Sequence, residues 1–340
     1  MKRPHRTSRH PRLRTTLRSA AAALSALALG ATLVACGSDA ASGEPRVNVV
    51  AFQEPSLGAF LPAIIESRGI DNDHGLDLRF TYATPDNYNT EFSAGHFDVG
   101  ASAALLSEAL RTERGSKVTY LFNLFDYWGT VVTKNSGIKS LGDLSGHSLA
   151  AATGTTNYAM FAWFAKKAGL NLSSVDTQNQ TTSGLSTMAK TGRTDATELW
   201  EPAYSTLTHG DDSISTVNLD YGAWEKAFGT DQIPYLGVAA TTAWADKHPD
   251  EVQKLYDIYK DAADWVQQHP ADAAKIIAKD IPGGNAEVIE TLIKNNDRLQ
   301  LDVQPAAKVA NGIRSVFKAG IQTGYLTKQP PKSIIYSGLK

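Results

Sequence analysis

The chain has 340 residues, 33 of them Lys or Arg and 35 Asp or Glu, with a formal net charge of −2. Its single cysteine, Cys36, excludes an internal disulfide and a cysteine-based zinc or iron–sulfur site. Seven basic residues and no acidic one precede Cys36; the rest keeps 26 against 35, a net −9, which argues against nucleic acid or an anionic lipid surface as partner.

The chain opens with Lys2, Arg3, Arg6, Arg9, Arg12, Arg14 and Arg18, then runs small and apolar over residues 19–32. That apolar stretch is too short for a permanent membrane span. With small residues before Cys36, the pattern predicts a secretion signal over 1–35. The lack of an Arg-Arg pair favours the general export route. Leu33-Val34-Ala35-Cys36 resembles the bacterial lipobox, which implies acylation of Cys36 and a lipid anchor. The competing reading is an ordinary signal with a chance cysteine beside the cut. Residues 36–45 then read as lipidated cysteine and flexible tether.

Folded sequence is expected from "RVNVVAF" (46–52), a strand broken by Glu54-Pro55-Ser56-Leu57-Gly58. A helix follows, ending near Gly69, and then "LDLRFTY" (76–82) alternates as a half-wet strand. Next come a helix, a turn, the strand "FDVGA", a helix from Ala103 to Arg114 and the strand "KVTYLFN" (117–123). This alternation predicts α/β architecture with mixed or parallel sheets flanked by helices.

The pattern restarts at "GTVVTKNSGI" (129–138), followed by a second strand, a loop, and the helix "YAMFAWFAKKAGL" stopped by Gly169. Gly95-x-x-Asp98 and Gly192-x-x-Asp195 each precede a short strand, which points to two similar lobes. From Pro234 the sequence predicts one more strand, then helix to the end. Val252, Leu255, Tyr256, Tyr259, Ala263 and Val266 recur at helical spacing and form a core face without further role.

Ligands in such sheets lie beyond the carboxyl ends of strands. Four loops qualify: Gln53, Ser56 and Leu57; Ser102; Thr153-Gly154-Thr155-Thr156-Asn157; and Trp200-Glu201. Thr153–Asn157 opens a helix, so it caps that helix, and its free amides and hydroxyls also suit an anion. It lacks the Gly-Lys-Ser/Thr of a nucleotide loop. Trp200 is either a flat pocket wall or a packing residue. Glu201 either caps the next helix, the favoured reading, or pairs with a cationic part of a ligand. Tyr127 and Trp128 either gate a cleft or pack a crossover. The chain has no Gly-x-Ser-x-Gly or His-Glu-x-x-His motif of a hydrolase.

"SLGDLSGHSLAAATGTT", "TGRTDATELWEPAY" and "GHFDVGASAALLSEAL" resemble the substrate-binding proteins of nitrate/sulfonate/taurine-type ABC importers. The resemblance runs over residues 46–320. It implies a two-lobed, type 2 periplasmic-binding-protein fold, with lobe 1 from 46–130 and 236–340 and lobe 2 from 131–235. It also implies two crossover hinge strands, near Gly129–Thr133 and Tyr235–Ala239. It implies a monomer, neither enzyme nor cofactor- or metal-dependent, that closes on a small organic anion and delivers it to a permease and its ATPase. No Arg or Lys lies in the four loops, which weakens nitrate and favours a sulfonate or carboxylate with an apolar or aromatic body. Other readings are a binder of pyrimidine-type thiamine precursors, a pyrimidine-synthase-like enzyme on the same fold, and a sensor domain.

Overall fold

The computed structural model describes residues 44–134, 137–281 and 284–340, so Cys36 and its lipobox lie outside the described residues. Strands are numbered along the chain: β1 Arg46–Phe52, β2 Asp77–Ala83, β3 Val99–Ala104, β4 Val118–Asp126, β5 Gly129–Lys134 and β6 Ser148–Ala151. They continue with β7 Asp176–Asn179, β8 Ala196–Trp200, β9 Ile214–Asn218, β10 Pro234–Thr241 and β11 Leu301–Pro305.

Two sheets result. The first runs β11-β4-β10-β3-β1-β2 and the second β7-β6-β8-β5-β9. Both are mixed. β1 lies parallel to β2 and β3, whereas β10 is antiparallel to β3 and β4. In the second sheet β6 is parallel to β7 and β8, and β5 is antiparallel to β8 and β9. Helices cover both faces of β4, which is buried at all nine positions and is apolar at most of them, with Thr119, Asn123 and Asp126 buried among the apolar residues.

The chain passes between the sheets twice, at Tyr127-Trp128 and through residues 219–233. The strands expected to cross therefore each belong to one sheet, β5 to the second and β10 to the first. The two passages are bonded to one another. Tyr127 N–H donates to the Ile233 carbonyl at 2.7 Å, and Ile233 N–H donates to the Asp126 carboxylate at 3.0 Å. Gly129 N–H donates to the Tyr221 hydroxyl at 2.8 Å.

Local chemistry explains how the elements stop and start. Ser56 caps helix Leu57–Arg68, and Gly69, at φ +67°, ends it where a side chain would be strained. Pro62 stands inside that helix and brings no N–H, so the Gly58 carbonyl lacks its helical donor. Ser102 of β3 supplies one instead, donating its hydroxyl to Gly58 O at 3.3 Å while accepting from Phe52 N–H at 2.8 Å. Gly95 and Gly192 take φ +75° and +61°, and the aspartates that follow tie neighbouring segments down. Asp195 accepts from Ser148 N–H and Oγ, and the Asp98 carbonyl accepts from Thr241 N–H.

The C-terminal third departs from the expected run of helices. β11 adds an antiparallel strand to the outer edge of β4, after the short helix Asn296–Leu299. The helix expected from Ala103 begins at Leu105, because β3 extends to Ala104.

Candidate functional site

Helix Thr156–Lys167 is the element on which both lobes converge. Thr155 caps it: its Oγ1 accepts from Tyr158 N–H at 3.3 Å and donates to Ala152 O at 2.8 Å. The Thr156 and Asn157 N–H groups find no acceptor among the described residues, leaving two donors at the positive end of the helix. Thr153 is held to the side, its N–H and hydroxyl both donating to Asn179 Oδ1.

Residues of the first lobe meet this turn directly. Tyr325 donates its hydroxyl to the Gly154 carbonyl at 3.2 Å and lies 3.3 Å from Ser107 Oγ, itself 3.4 Å from Thr156 Oγ1. Asn157 Nδ2 donates to the Tyr235 hydroxyl at 2.8 Å, joining the helix to β10. Further along, Trp163 Nε1 donates to Gln322 Oε1 at 2.8 Å. The lobes are thus in contact on the face that carries the Gly-Thr-Thr turn.

The crossover aromatics divide. Tyr127 is buried, stacked on Phe164 at 6.2 Å and edge-on to Tyr235 at 5.9 Å. Trp128 is half-buried, 5.1 Å from Tyr204. Over both of these rings sits the Arg298 guanidinium, 5.4 Å from Trp128 and 4.6 Å from Tyr204. Trp200 pairs with Gly129 across β8 and β5 and packs half-buried against the smaller apolar cluster of the second sheet.

Glu201 performs the capping expected of it. Its carboxylate accepts from Ser205 N–H at 3.1 Å and from Ser205 Oγ at 2.9 Å, in the first turn of helix Ala203–Thr208. It also pairs with Arg298 at 2.5 Å, and only 1% of the residue is exposed. Burial pushes its carboxyl above the usual range, against the pull of the guanidinium. The cation paired with Glu201 is the chain's own, so no face of this carboxylate is left for a ligand.

The first-lobe loop is built separately. Gln53 is exposed, its N–H bonded to Ala83 O at 2.8 Å, and Leu57 is buried. Ser56 Oγ accepts from Gly58 N–H, and Ser56 N–H donates to Glu54. Ser102 is fully buried, its hydroxyl taken up by Phe52 and Gly58. Among the described residues no hydrogen bond joins the Gln53–Leu57 loop to the Thr153–Asn157 turn. The bridging residues are Ser107, Tyr235, Gln322 and Tyr325, none of which the loop reading singled out.

Sequence reading also passed over Glu198. Alternation along β8 puts Leu199 against the smaller cluster and Ala196 in the main core, so Glu198 faces helix Thr156–Lys167 with Ala196. It is 1% exposed, and burial pushes its carboxyl up to about 8.

A family model described as "NMT1/THI5 like" matches residues 66–273, more than half of the chain. A "Putative aliphatic sulfonates-binding protein" of Bacillus subtilis (strain 168) is 27% identical over 173 residues, 50% of this chain and 49% of that protein. The match thus spans about half the length of that relative. A "Putative binding protein" of Brucella abortus (strain 2308) is 23% identical over 71% of this chain and 73% of its own.

Two solved structures share the fold. The periplasmic aliphatic sulphonate binding protein SsuA from Escherichia coli gives a TM-score of 0.70 at 16% identity, over 85% of this chain and 96% of that one. The alkanesulfonate-binding protein SsuA from Xanthomonas axonopodis pv. citri, bound to MOPS, gives 0.71 at 15% identity, over 88% and 99%. The fold is the two-lobed α/β arrangement of type 2 periplasmic binding proteins. The segment matched by the family model takes in every strand from β2 to β10, and on that ground the chain belongs to the NMT1/THI5-like family.

Proposed function

We propose that this protein is a solute-binding component of an ABC importer, capturing a small organic anion of sulfonate or carboxylate type between its lobes. One observation carries the reading. Two backbone donors, Thr156 and Asn157 N–H, stand unbonded at a helix N-terminus where the first lobe closes over the second. An oxyanion is the natural partner of such an end. Thr153, Gly154 and Thr155 frame it.

Binding rather than catalysis is the proposed activity. Closure around the ligand adds first-lobe contacts to second-lobe ones, so the ligand shifts the hinge equilibrium by that difference in affinity. The closed form then docks on a permease and its ATPase. Cys36, acylated on its thiol and left as the new N-terminus when residues 1–35 are removed, holds the monomer on the extracytoplasmic face of the membrane. The names of the relatives, which are binding proteins for sulfonates, support this assignment.

A thermal-shift panel of alkanesulfonates, arylsulfonates and matching carboxylates tests it. At a hundred times its Kd a ligand adds about 2.7 kcal/mol to stability, which is a shift of several degrees. A silent panel, or chemical turnover of any member, overturns the proposal.

A further inference from the structure

The two passages between the lobes are joined through one buried carboxyl. Asp126 ends β4, immediately before the first passage, and only 8% of it is exposed. Its Oδ2 accepts from the N–H of Ile233, the last residue of the second passage, at 3.0 Å. Tyr127 N–H donates to the Ile233 carbonyl at 2.7 Å, so Ile233 is held by both its backbone polar groups. The other carboxyl oxygen, Oδ1, accepts from Asn123 Nδ2 at 2.9 Å. That amide nitrogen also donates to the Asp302 carbonyl of β11 at 3.1 Å, while Asn123 Oδ1 accepts from the Tyr120 hydroxyl at 3.0 Å.

The backbone is bent to hold the same residue. Asp126 N–H donates to the Gln300 carbonyl at 2.9 Å, and Gln300 stands at φ +56°, the one non-glycine residue at positive φ among the described residues. Such a conformation is uncommon outside glycine, and it persists where the surrounding structure over-determines it. Asp126 is thus fixed from β11, from within β4 and from the second passage at once.

The charges around it oppose its ionisation. Asp302 of β11 and Asp231 of the second passage bear on Asp126, and both are acidic. Within β4 the titratable neighbour is the Tyr120 phenol, and β10 presents the neutral Pro234. Helix Asn296–Leu299 brings Arg298, which is committed to Glu201. Two N–H donors favour the carboxylate, but burial and the two acids outweigh them, and the carboxyl is pushed up to about 7. A movement of the passages that admits water to Asp126 removes the burial, the largest of these causes. The moved form therefore releases its proton at lower pH than the form described, and by linkage ionisation favours the moved form.

We propose that Asp126 is a proton-controlled tie of the hinge: uncharged, it holds the two passages together, and ionised, it lets them part so that the lobes swing open. The device needs no ligand. It weakens retention of any ligand on the alkaline side of neutrality, whatever the ligand's own charge. It stands on the two-lobed fold and not on the anion site, so its failure leaves the proposed binding function untouched.

Amide hydrogen exchange of the ligand-free protein, read residue by residue by NMR between pH 6 and pH 8, tests this. After correction for the intrinsic exchange rate, protection of the Ile233 and Tyr127 amides falls about tenfold, as a single group titrating midway through that range requires. Asp126→Asn keeps an acceptor for Ile233 N–H and cannot ionise, so the fall disappears. Asp302→Asn removes one of the facing charges and moves the midpoint of the fall to lower pH; this variant decides the matter if Asp126→Asn does not fold. Spin labels on Asp86→Cys and Lys190→Cys, exposed positions of the first and second lobes, report the interlobe distance in a Cys36→Ser background. That distance shifts over the same pH range, and Asp126→Asn abolishes the shift. Level protection in the parent, a fall that persists in Asp126→Asn, or a midpoint that Asp302→Asn leaves in place or raises overturns the inference. So does a fall in protection with no change of interlobe distance, because the tie then does not govern the hinge.

Discussion

The Arg298 guanidinium reaches from the helix before β11 across to Glu201, the residue that follows β8, and lies over the rings of Trp128 and Tyr204 on the way. One side chain of the first lobe thus ties together the crossover and the first turn after a second-lobe strand. Glu201 is almost fully buried, so the pair matters most through what its loss would leave behind, an uncompensated carboxyl. Arg298→Ala is expected to destabilise the protein by roughly 1–3 kcal/mol, reduced from the fully buried case because Arg298 keeps 30% of its side chain in solvent. Urea unfolding reads this directly. Glu201→Gln in the same background should recover part of the loss; a double variant as unstable as the sum of the singles would show that the two groups act independently.

Thr155 holds the turn that offers its amides to a ligand. Thr155→Ala removes the acceptor for Tyr158 N–H and the donor to Ala152 O, and is expected to lower stability by about 1 kcal/mol. Affinity for the tightest compound of the panel should fall several-fold as well. Thr155→Ser keeps both hydrogen bonds and should match the parent in urea melts and titration alike. Unchanged affinity in Thr155→Ala would place the ligand away from this turn.

Three buried carboxyls titrate far above their ordinary range. Burial raises Glu54 and Glu198 from 4.5 to about 8 and Asp126 from 3.8 to about 7. In each case the folded protein holds a proton at pH values where the unfolded chain has released it. The folded state therefore binds more protons between the two values, and stability falls as pH rises through that window. It is fully present below about pH 4 and most reduced above pH 8. Glu198→Gln removes one of these slopes, so its melting temperature should gain on the parent from pH 5 to pH 8, by an amount equivalent to a few kcal/mol at most. Parallel curves for the two proteins would mean that Glu198 is hydrogen-bonded or hydrated in solution.

The anchor is tested without reference to the fold. Cys36→Ser removes the thiol that would carry the acyl chains, and the protein should appear in the medium or the soluble extracytoplasmic fraction. Two acyl chains at about 0.8 kcal/mol per buried methylene leave little free protein, so the contrast with the parent should be large. Membrane retention of the variant equal to that of the parent would remove the anchor.

Much of this architecture was legible because local chemistry and burial agree. β1 matches "RVNVVAF" residue for residue, since its apolar run ends at a Pro-Ser-Leu-Gly stop that also caps a helix. Thr155 was readable as a cap for the same reason. β9 and β11 were not legible: "ISTVN" is half-exposed and polar, and "LDVQP" ends on a proline, so neither has the apolar density of a sheet interior. The partner of Glu201 was hidden by distance, 97 residues along the chain, where no local pattern points to it. Glu198 sat in plain view in "ATELW". Strand alternation assigns it a face, but only the packing of helix Thr156–Lys167 makes that face dry.

Ser102, expected to touch ligand, also repairs a helix. Pro62 withholds the N–H that Gly58 O would accept, and the Ser102 hydroxyl takes its place while also serving Phe52 N–H. The fit is close, since a Cβ on Gly58 would lie 2.2 Å from Ser102 Oγ. Ser102→Ala orphans two backbone groups, the buried Gly58 carbonyl and the part-buried Phe52 N–H, and should cost roughly 2–6 kcal/mol, at 1–3 kcal/mol for each. Pro62→Ala restores a helical donor for Gly58, so in that background the Ser102→Ala penalty should shrink by about 1 kcal/mol, leaving mainly the Phe52 N–H. Urea unfolding of the four proteins of the cycle measures the coupling. Zero coupling, together with a large loss of ligand affinity in Ser102→Ala and little loss of stability, would return the hydroxyl to the binding site.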